Sequence, residues 1–273
     1  MTTFPVSPLF VPSNQLEWIN KAENSEADGL ILDLEDSVPA SEKNKTRKGL
    51  AEYLSSKDIK KTFFIRTNPL LSSDGEEDIA LFQNTFKNFL GLIIPKIESP
   101  EELSCLKDET KVILLIETAL ALESLSLLTK DKKVIGLALG GADLSSELGS
   151  DMSWDSLLMA RSMIVMQASK HGLLTIDSPF MQINDEKLLA EESRKAKSIG
   201  FNSKFAIHPK QAKIIKERFL PTEEELEEAK KIIEAYSNSK GGVISVDGKM
   251  VDEPIVRLMQ KRLWLSRKDL ESE

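Results

Sequence analysis

The chain has 273 residues, 41% hydrophobic and 29% charged, which suffices for one large barrel or two modest domains and shows no disorder signature. Its net charge of -8 argues against nucleic acid or an anionic membrane as a partner, because both require a basic surface. The single cysteine, Cys105, excludes an internal disulfide. The sequence has no basic start followed by an apolar stretch and no run of roughly 18 apolar residues, so we expect a cytoplasmic protein without a membrane span.

Eight short apolar runs along the chain predict eight buried β-strands. The runs are residues 9–11, 30–32, 63–65, 92–94, 112–116, 135–139, 173–176 and 205–207. They are continuous rather than alternating, as in parallel strands covered on both faces, and helical stretches such as 41–54, 76–89, 153–170 and 185–198 separate them. This alternation predicts an α/β fold, a (β/α)8 TIM barrel. An open doubly wound sheet is the alternative, but no glycine-rich phosphate-binding turn follows the first run.

The residues beyond the eighth run predict an appendage. Pro221 and the glutamates that follow begin a helix that extends to about Tyr236. A flexible joint (237–242), a hairpin (243–252) and a final helix (from 254 to about 264) come next. Because about fifty residues cannot supply an independent core, we divide the chain into a catalytic barrel, residues 1–220, and a C-terminal helix and lid extension, residues 221–273.

Polar and charged side chains follow most of the predicted strands, on the barrel face where active sites are built. In chain order they are Asp33, Glu35, Asp36, Arg66, Asn68, Lys96, Glu98, Glu117, Asp143, Asp177 and His208. Oxygen ligands without a Cys–His cluster favour Mg²⁺ or Mn²⁺ over zinc, and Mg²⁺ takes one or two carboxylates. Glu117 and Asp143 suit this role best, and Arg66 would bind a substrate carboxylate in bidentate fashion. Alternatively, Glu117 and Asp143 form salt bridges to Lys96 and Arg66.

Nine motifs, collinear over nearly the whole chain, resemble the citrate lyase beta subunit family, part of the larger group of HpcH/HpaI aldolases and malyl-CoA lyases. They are SPLFVP (7–12), DLEDSV (33–38), IRTN (65–68), PKIES (95–99), IET (116–118), GGADL (140–144), IGFNSK (199–204), IHPKQ (207–211) and DGKMVD (247–252). The resemblance implies a Mg²⁺-dependent barrel, a homotrimer or a hexamer, that cleaves or forms a carbon–carbon bond between a 2-oxo acid and an acyl thioester.

The resemblance also implies site residues. Glu117 and Asp143 fall on the metal ligands, Arg66 on the carboxylate-binding arginine, and Asp36 on a catalytic acid near the metal's waters. Asp252 falls on the aspartate that, in the acyl-CoA lyases, reaches from the C-terminal lid into a neighbouring subunit's site and handles the enolate proton. In the GGADL motif (140–144), we expect Gly141 and Ala142 to contact substrate.

Three other activities are compared with this prediction. A Schiff-base aldolase is disfavoured because Lys96 has acidic neighbours, whereas such an enzyme needs a desolvated lysine. An HpaI-type class II aldolase acting on a free 4-hydroxy-2-oxo acid would use a histidine after the second strand, where this chain has none. A citrate lyase beta subunit would act on an acyl-carrier-bound substrate in a complex. The residues do not distinguish CoA from a carrier, or a citryl from a malyl or citramalyl group.

Overall fold

The computed structural model describes residues 4–83, 86–239 and 242–266. The chain divides into two compact units, Met1–Lys216 and Glu217–Glu273. The boundary that we predict from the sequence, after residue 220, remains a prediction.

Eight parallel strands form the first unit, paired in the order in which they occur along the chain. They are β1 (Pro8–Pro12), β2 (Gly29–Asp33), β3 (Thr62–Arg66), β4 (Phe89–Ile94), β5 (Val112–Ile116), β6 (Val134–Leu139), β7 (Leu174–Asp177) and β8 (Ser203–Lys204). The sheet curls until its ends meet, since the amide of Ala206 donates to the carbonyl of Pro8 (2.9 Å) and the amide of Phe10 donates to that of Ala206 (2.9 Å). The predicted barrel is confirmed.

Helices alternate with these strands. They are α1 (Leu16–Glu23), α2 (Lys43–Ser56), α3 (Ser73–Phe82), α4 (Ala119–Leu128), α5 (Gly141–Leu148), α6 (Leu158–His171), α7 (Glu186–Ile199) and α8 (Pro209–Phe219), with short 3-10 turns at Ala40–Glu42 and Pro100–Cys105. The helix predicted over 76–89 instead begins at residue 73, because Ser72 caps its N-terminus by accepting from the amide of Gly75, and it ends at Phe82. None of the helices among the described residues combines the length and the apolar content that crossing a bilayer requires.

The barrel interior is filled by apolar side chains from the strands and from two phenylalanines next to them, Phe4 before β1 and Phe205 after β8. This core comprises Phe4, Ile31, Phe64, Ile93, Ile113, Leu115, Ala138, Ile176 and Phe205. Parallel register brings the strand ends to one level, so Asp33 lies opposite Arg66 and Ile116 lies opposite Leu139. The residues that follow these ends therefore meet at one face of the barrel.

The eighth strand lies earlier than the apolar run at 205–207 predicts. Its ladder with β7 ends at Lys204, and only Ala206 of the run pairs further, in a bridge with Leu9. Because Ser203 and Lys204 are polar, a search for apolar runs does not detect this strand. Lys204 is nevertheless fully buried, because its ammonium donates to Asp177, to the carbonyl of Ser178 and to Glu192, each at 2.7 Å.

The second unit contains α9 (Glu223–Ser237), the antiparallel pair β9 (Ile244–Val246) and β10 (Lys249–Val251), and α10 (Glu253–Ser266). Thr222 and Glu225 form a capping box at the start of α9. The unit has its own apolar cluster, made of Ala229, Ile232, Val246, Val251, Val256 and Met259. Of the joint predicted at 237–242, residues 240 and 241 lie outside the described residues.

Candidate active site

A cavity of about 640 Å³ opens at the carboxyl ends of the barrel strands. Six of the seven site residues that the sequence predicts line it: Asp36, Arg66, Glu117, Gly141, Ala142 and Asp143. Its apolar wall includes Leu9, Phe10, Leu115, Leu139, Phe205 and Ile207. The cavity therefore places a group of charges against an apolar surface, as small-molecule sites do.

Glu117 follows β5 and is buried, whereas Asp143 lies exposed in the first turn of α5. Glu117 Oε1 accepts a hydrogen bond from the backbone N–H of Lys96 (2.7 Å), and neither Glu117 Oε2 nor the Asp143 carboxylate is bonded to another described residue. Burial raises the pKa of Glu117 to about 8, and the negative charges of Glu35 and Asp143 add to this. The alternative interpretation, salt bridges from these carboxylates to Lys96 and Arg66, finds no support among the described ion pairs.

Gly140 leaves the space that the Glu117 side chain occupies. A Cβ at position 140 would lie 2.4 Å from Glu117 Cβ and 2.6 Å from Glu117 Oε2. The backbone of Gly140 has φ -88°, which any residue tolerates, so the requirement for glycine is purely steric.

On the prediction that Glu117 is a Mg²⁺ ligand, Gly140→Ala is expected to weaken Mg²⁺ binding about tenfold or more, because the new methyl group must displace the Glu117 side chain. Gly49→Ala is the matched control. Its Cβ would meet nothing closer than 3.9 Å, so alanine in the interior of α2 is expected to stabilise the fold by about 1 kcal/mol and leave the site unchanged. Mg²⁺ titration calorimetry and thermal melts check both; equal affinities in the two variants would contradict the steric role of Gly140.

Lys96 holds an unusual backbone conformation beside Glu117. Its φ of 51° lies in the left-handed region, which costs a non-glycine residue roughly 1 kcal/mol or more. This turn directs the Lys96 amide at Glu117, while the Lys96 ammonium lies 3.4 Å from Glu35 Oε1. The sequence places Lys96 at a strand end but gives no sign of this conformation.

Arg66, at the end of β3, is surrounded by carboxylates. Its Nε and Nη2 donate to the two oxygens of Asp33, both at 2.7 Å. Its Nη1 lies 2.9 Å from Glu35 Oε2 and 3.5 Å from Asp36 Oδ2. The guanidinium also stacks over the ring of Phe10, with 4.9 Å from its central carbon to the ring centroid. Asp33 thus takes two of the five N–H donors of Arg66, and the arginine supports the barrel rim as well as facing the cavity.

The loop after β2 presents two further carboxylates. Asp36 is exposed at the cavity rim, whereas Glu35 is buried and its two oxygens accept no hydrogen bond from the described residues. Burial raises the pKa of Glu35 to about 7, against the lowering effect of Arg66. Asp33 differs, because Arg66 and the loop amides outweigh its burial and hold the pKa of Asp33 below its usual value. The sequence motif contains Glu35 but does not show that it is buried.

The donors at this face fit a Mg²⁺ ion. Glu117 and Asp143 line the cavity, and no cationic side chain among the described residues is paired with Glu117 Oε2 or the Asp143 carboxylate, both of which are hard oxygen ligands. Among the described residues, no group of three or more histidines, cysteines, aspartates or glutamates is placed to hold a metal. Two carboxylates suit an ion that fills its remaining positions with water and substrate oxygens.

Asp252, the seventh predicted site residue, lies in the second unit. It precedes α10, where its Oδ1 accepts from the amide of Ile255 (3.2 Å) and its carbonyl accepts from that of Val256 (3.1 Å). Within its own chain Asp252 is an N-cap.

Comparison with known proteins identifies relatives of this chain. A family model described as HpcH/HpaI aldolase/citrate lyase matches residues 7–209, which confirms the resemblance carried by the motifs. The citrate lyase subunit beta of Haemophilus influenzae is 30% identical and covers 92% of each chain. The mitochondrial citramalyl-CoA lyase of Rattus norvegicus is 29% identical over 94% of this chain and 85% of its own. CitE from Mycobacterium tuberculosis, solved with magnesium, acetoacetate and coenzyme A, superposes with a TM-score of 0.83 at 27% identity, covering 97% of this chain and 99% of its own.

Proposed function

Because the chain belongs to the HpcH/HpaI aldolase/citrate lyase family, we propose that it is a Mg²⁺-dependent carbon–carbon lyase. Its substrate would be a 3-hydroxyacyl thioester of the citryl, malyl or citramalyl type, cleaved to a 2-oxo acid and an acyl thioester. The observation that carries this proposal is the convergence of Glu117, Asp143 and Arg66 on one cavity at the carboxyl face of the barrel. The relatives' names support the coarser statement, a lyase, and the name citramalyl-CoA lyase supports a CoA thioester as its substrate.

Each residue has a role that follows from its contacts. Glu117 and Asp143 would hold the ion, which supplies Lewis-acid stabilisation of negative charge on substrate oxygens. Arg66 would bind the substrate carboxylate through the N–H donors of Nη1 and Nη2 that Asp33 does not take, in competition with Glu35 and Asp36, whose carboxylates lie 2.9 and 3.5 Å from Nη1. Gly141 and Ala142 begin α5, where amides without partners in the helix attract an anionic group.

Two carboxylates would move the protons. Asp36 is exposed in the cavity, so we assign it to take the hydroxyl proton as the carbon–carbon bond breaks. Asp252 would protonate the thioester enolate, acting from the C-terminal extension of a neighbouring subunit in a homotrimer or hexamer. The family resemblance supports this second assignment.

A panel of thioesters tests the activity. The purified protein is incubated with Mg²⁺ and with citryl-, malyl- and citramalyl-CoA, and release of the 2-oxo acid is followed, with EDTA as the control. We expect release from at least one thioester and none after chelation. Cleavage of a free 4-hydroxy-2-oxo acid with no activity on thioesters would instead identify an HpaI-type aldolase. Activity only on carrier-bound citryl groups would identify a citrate lyase subunit.

Asp252→Asn is expected to abolish turnover while the fold remains, because asparagine caps a helix as well as aspartate does but cannot donate the proton. Mixing this variant with inactive Glu117→Gln protein under subunit exchange is expected to restore part of the activity, since some mixed sites combine an intact metal site with an intact Asp252. Exchange confirmed by mass spectrometry without recovery would show that Asp252 does not act between subunits.

A further inference from the structure

The loop after β2 is held rigidly by hydrogen bonds on both sides of Glu35. Asp33 accepts from the amides of Glu35 (3.0 Å) and Ser37 (3.2 Å). Asn68 donates to the carbonyl of Leu34 (3.0 Å), and the Lys43 ammonium approaches the carbonyls of Leu34 (3.4 Å) and Glu35 (3.3 Å). The backbone at Glu35 therefore has little freedom to carry its side chain elsewhere.

This loop buries a carboxylate whose described partners are two cations, Arg66 and Lys96. The Glu35 side chain is only 4% exposed, and neither oxygen accepts a hydrogen bond from the described residues. Its ion-pair partner Arg66 already has two hydrogen bonds from its guanidinium to Asp33. The negative charges of Asp33 and Asp36 lie close enough to oppose ionisation of Glu35. A buried carboxylate without hydrogen bonds costs stability, and such residues concentrate at functional sites.

The second cation beside Glu35 belongs to Lys96. The Lys96 ammonium is 3.4 Å from Glu35 Oε1, although 45% of its side chain is exposed. The same residue turns through a left-handed backbone conformation to donate its amide to Glu117 Oε1. Lys96 thus connects the buried carboxylate of Glu35 with the proposed metal ligand.

We propose that Glu35 is a positioning residue, which anchors the Lys96 side chain so that the Lys96 amide keeps Glu117 oriented for the metal. This inference rests on the proposed function, because it assigns Glu117 to the ion. The strained turn at Lys96 is held from two sides, by Glu35 at the ammonium and by Glu117 at the amide. Without the first contact, the amide is free to leave Glu117.

Substitution of Lys96 distinguishes the loss of Glu117 positioning from the purely electrostatic effect of removing a positive charge. Lys96→Met removes a positive charge whose field reaches Asp143, so field alone would tighten Mg²⁺ binding. Loss of positioning would weaken it. We expect Lys96→Met to weaken Mg²⁺ binding about tenfold, measured by titration calorimetry, as substitutions of residues that orient a metal ligand do. Unchanged or tighter binding would overturn the proposal.

Glu35→Gln tests the same link from the other side. We expect Mg²⁺ binding about tenfold weaker and a metal-free Tm about 2–4 °C higher, because glutamine removes a buried charge while Arg66 keeps Asp33. The double variant with Lys96→Met is expected to bind Mg²⁺ no more weakly than either single variant, since each substitution alone already removes the Glu35–Lys96 ion pair. Additive losses, or a lowered Tm with unchanged affinity, would overturn the proposal.

Two controls complete the experiment. Glu42→Gln makes the same substitution at an exposed glutamate near this loop, and we expect neither Tm nor Mg²⁺ affinity to change. The parent protein separates the two proposals: if it binds Mg²⁺ and the two variants bind it equally well, only the role of Glu35 fails. If the parent binds no Mg²⁺, the proposed function and this inference both fail.

Discussion

Glu117→Gln is expected to abolish Mg²⁺-dependent turnover while leaving the barrel folded. Glutamine keeps an oxygen that can accept the Lys96 amide, so the local backbone should persist. It removes one of the two proposed anionic metal ligands, and a Lewis acid supplies several kcal/mol of transition-state stabilisation. We therefore expect kcat to fall by about three orders of magnitude or more.

The stability of the metal-free variant checks the electrostatic part of this argument. Because burial raises the pKa of Glu117 to about 8, ionising it costs the folded parent stability as pH rises from the ordinary glutamate range towards 8. Glutamine carries no such cost, so metal-free Glu117→Gln should be at least as stable as the parent at pH 8. Glu123→Gln, on the exposed face of α4, is the matched control and should behave as the parent. A Glu117→Gln variant that still binds Mg²⁺ with parental affinity would remove Glu117 from the site.

Arg66→Lys is expected to weaken 2-oxo acid binding by about 10- to 100-fold, because an ammonium cannot form two parallel charged hydrogen bonds to a carboxylate. Pyruvate, glyoxylate and oxaloacetate titrations measure this loss. The sequence suggests a purely substrate-binding arginine, but the structure adds a cost in stability. Lysine would lose one of the two hydrogen bonds to buried Asp33, which would lower the free energy of unfolding by about 1.5–3 kcal/mol.

A second buried arginine separates the two effects. Arg47 donates to Asp74, Glu77 and Asp78 at the packing of α2 and α3, and it does not line the cavity. Arg47→Lys should therefore lower the free energy of unfolding by a similar amount without changing 2-oxo acid binding. Equal binding losses in both variants would mean that Arg66 acts through stability alone.

The sequence predicts the barrel well because its strands are buried on both faces and appear as continuous apolar runs. It fails at Ser203 and Lys204, where a strand is polar because ion pairs with Asp177 and Glu192 satisfy a buried lysine. The sequence also predicts the site carboxylates Glu117 and Asp143, because they follow predicted strands. The left-handed turn at Lys96 and the burial of Glu35 are different, because they arise from contacts between loops that no local pattern encodes.

Closure of the barrel has a consequence for how the chain is made. Ser203 donates to the carbonyl of Val6 across 197 residues, and the amide of Lys204 donates to that same carbonyl. At a synthesis rate of 5–20 residues per second, the ribosome needs roughly 10 to 40 s to supply the last strand after the first. During that interval one edge of β1 has no partner strand, and exposed edges recruit other chains. Substitutions in residues 6–10 are therefore expected to lower the yield of soluble nascent protein as well as the melting temperature of the finished barrel, since Val6 and Leu9 are also buried in it.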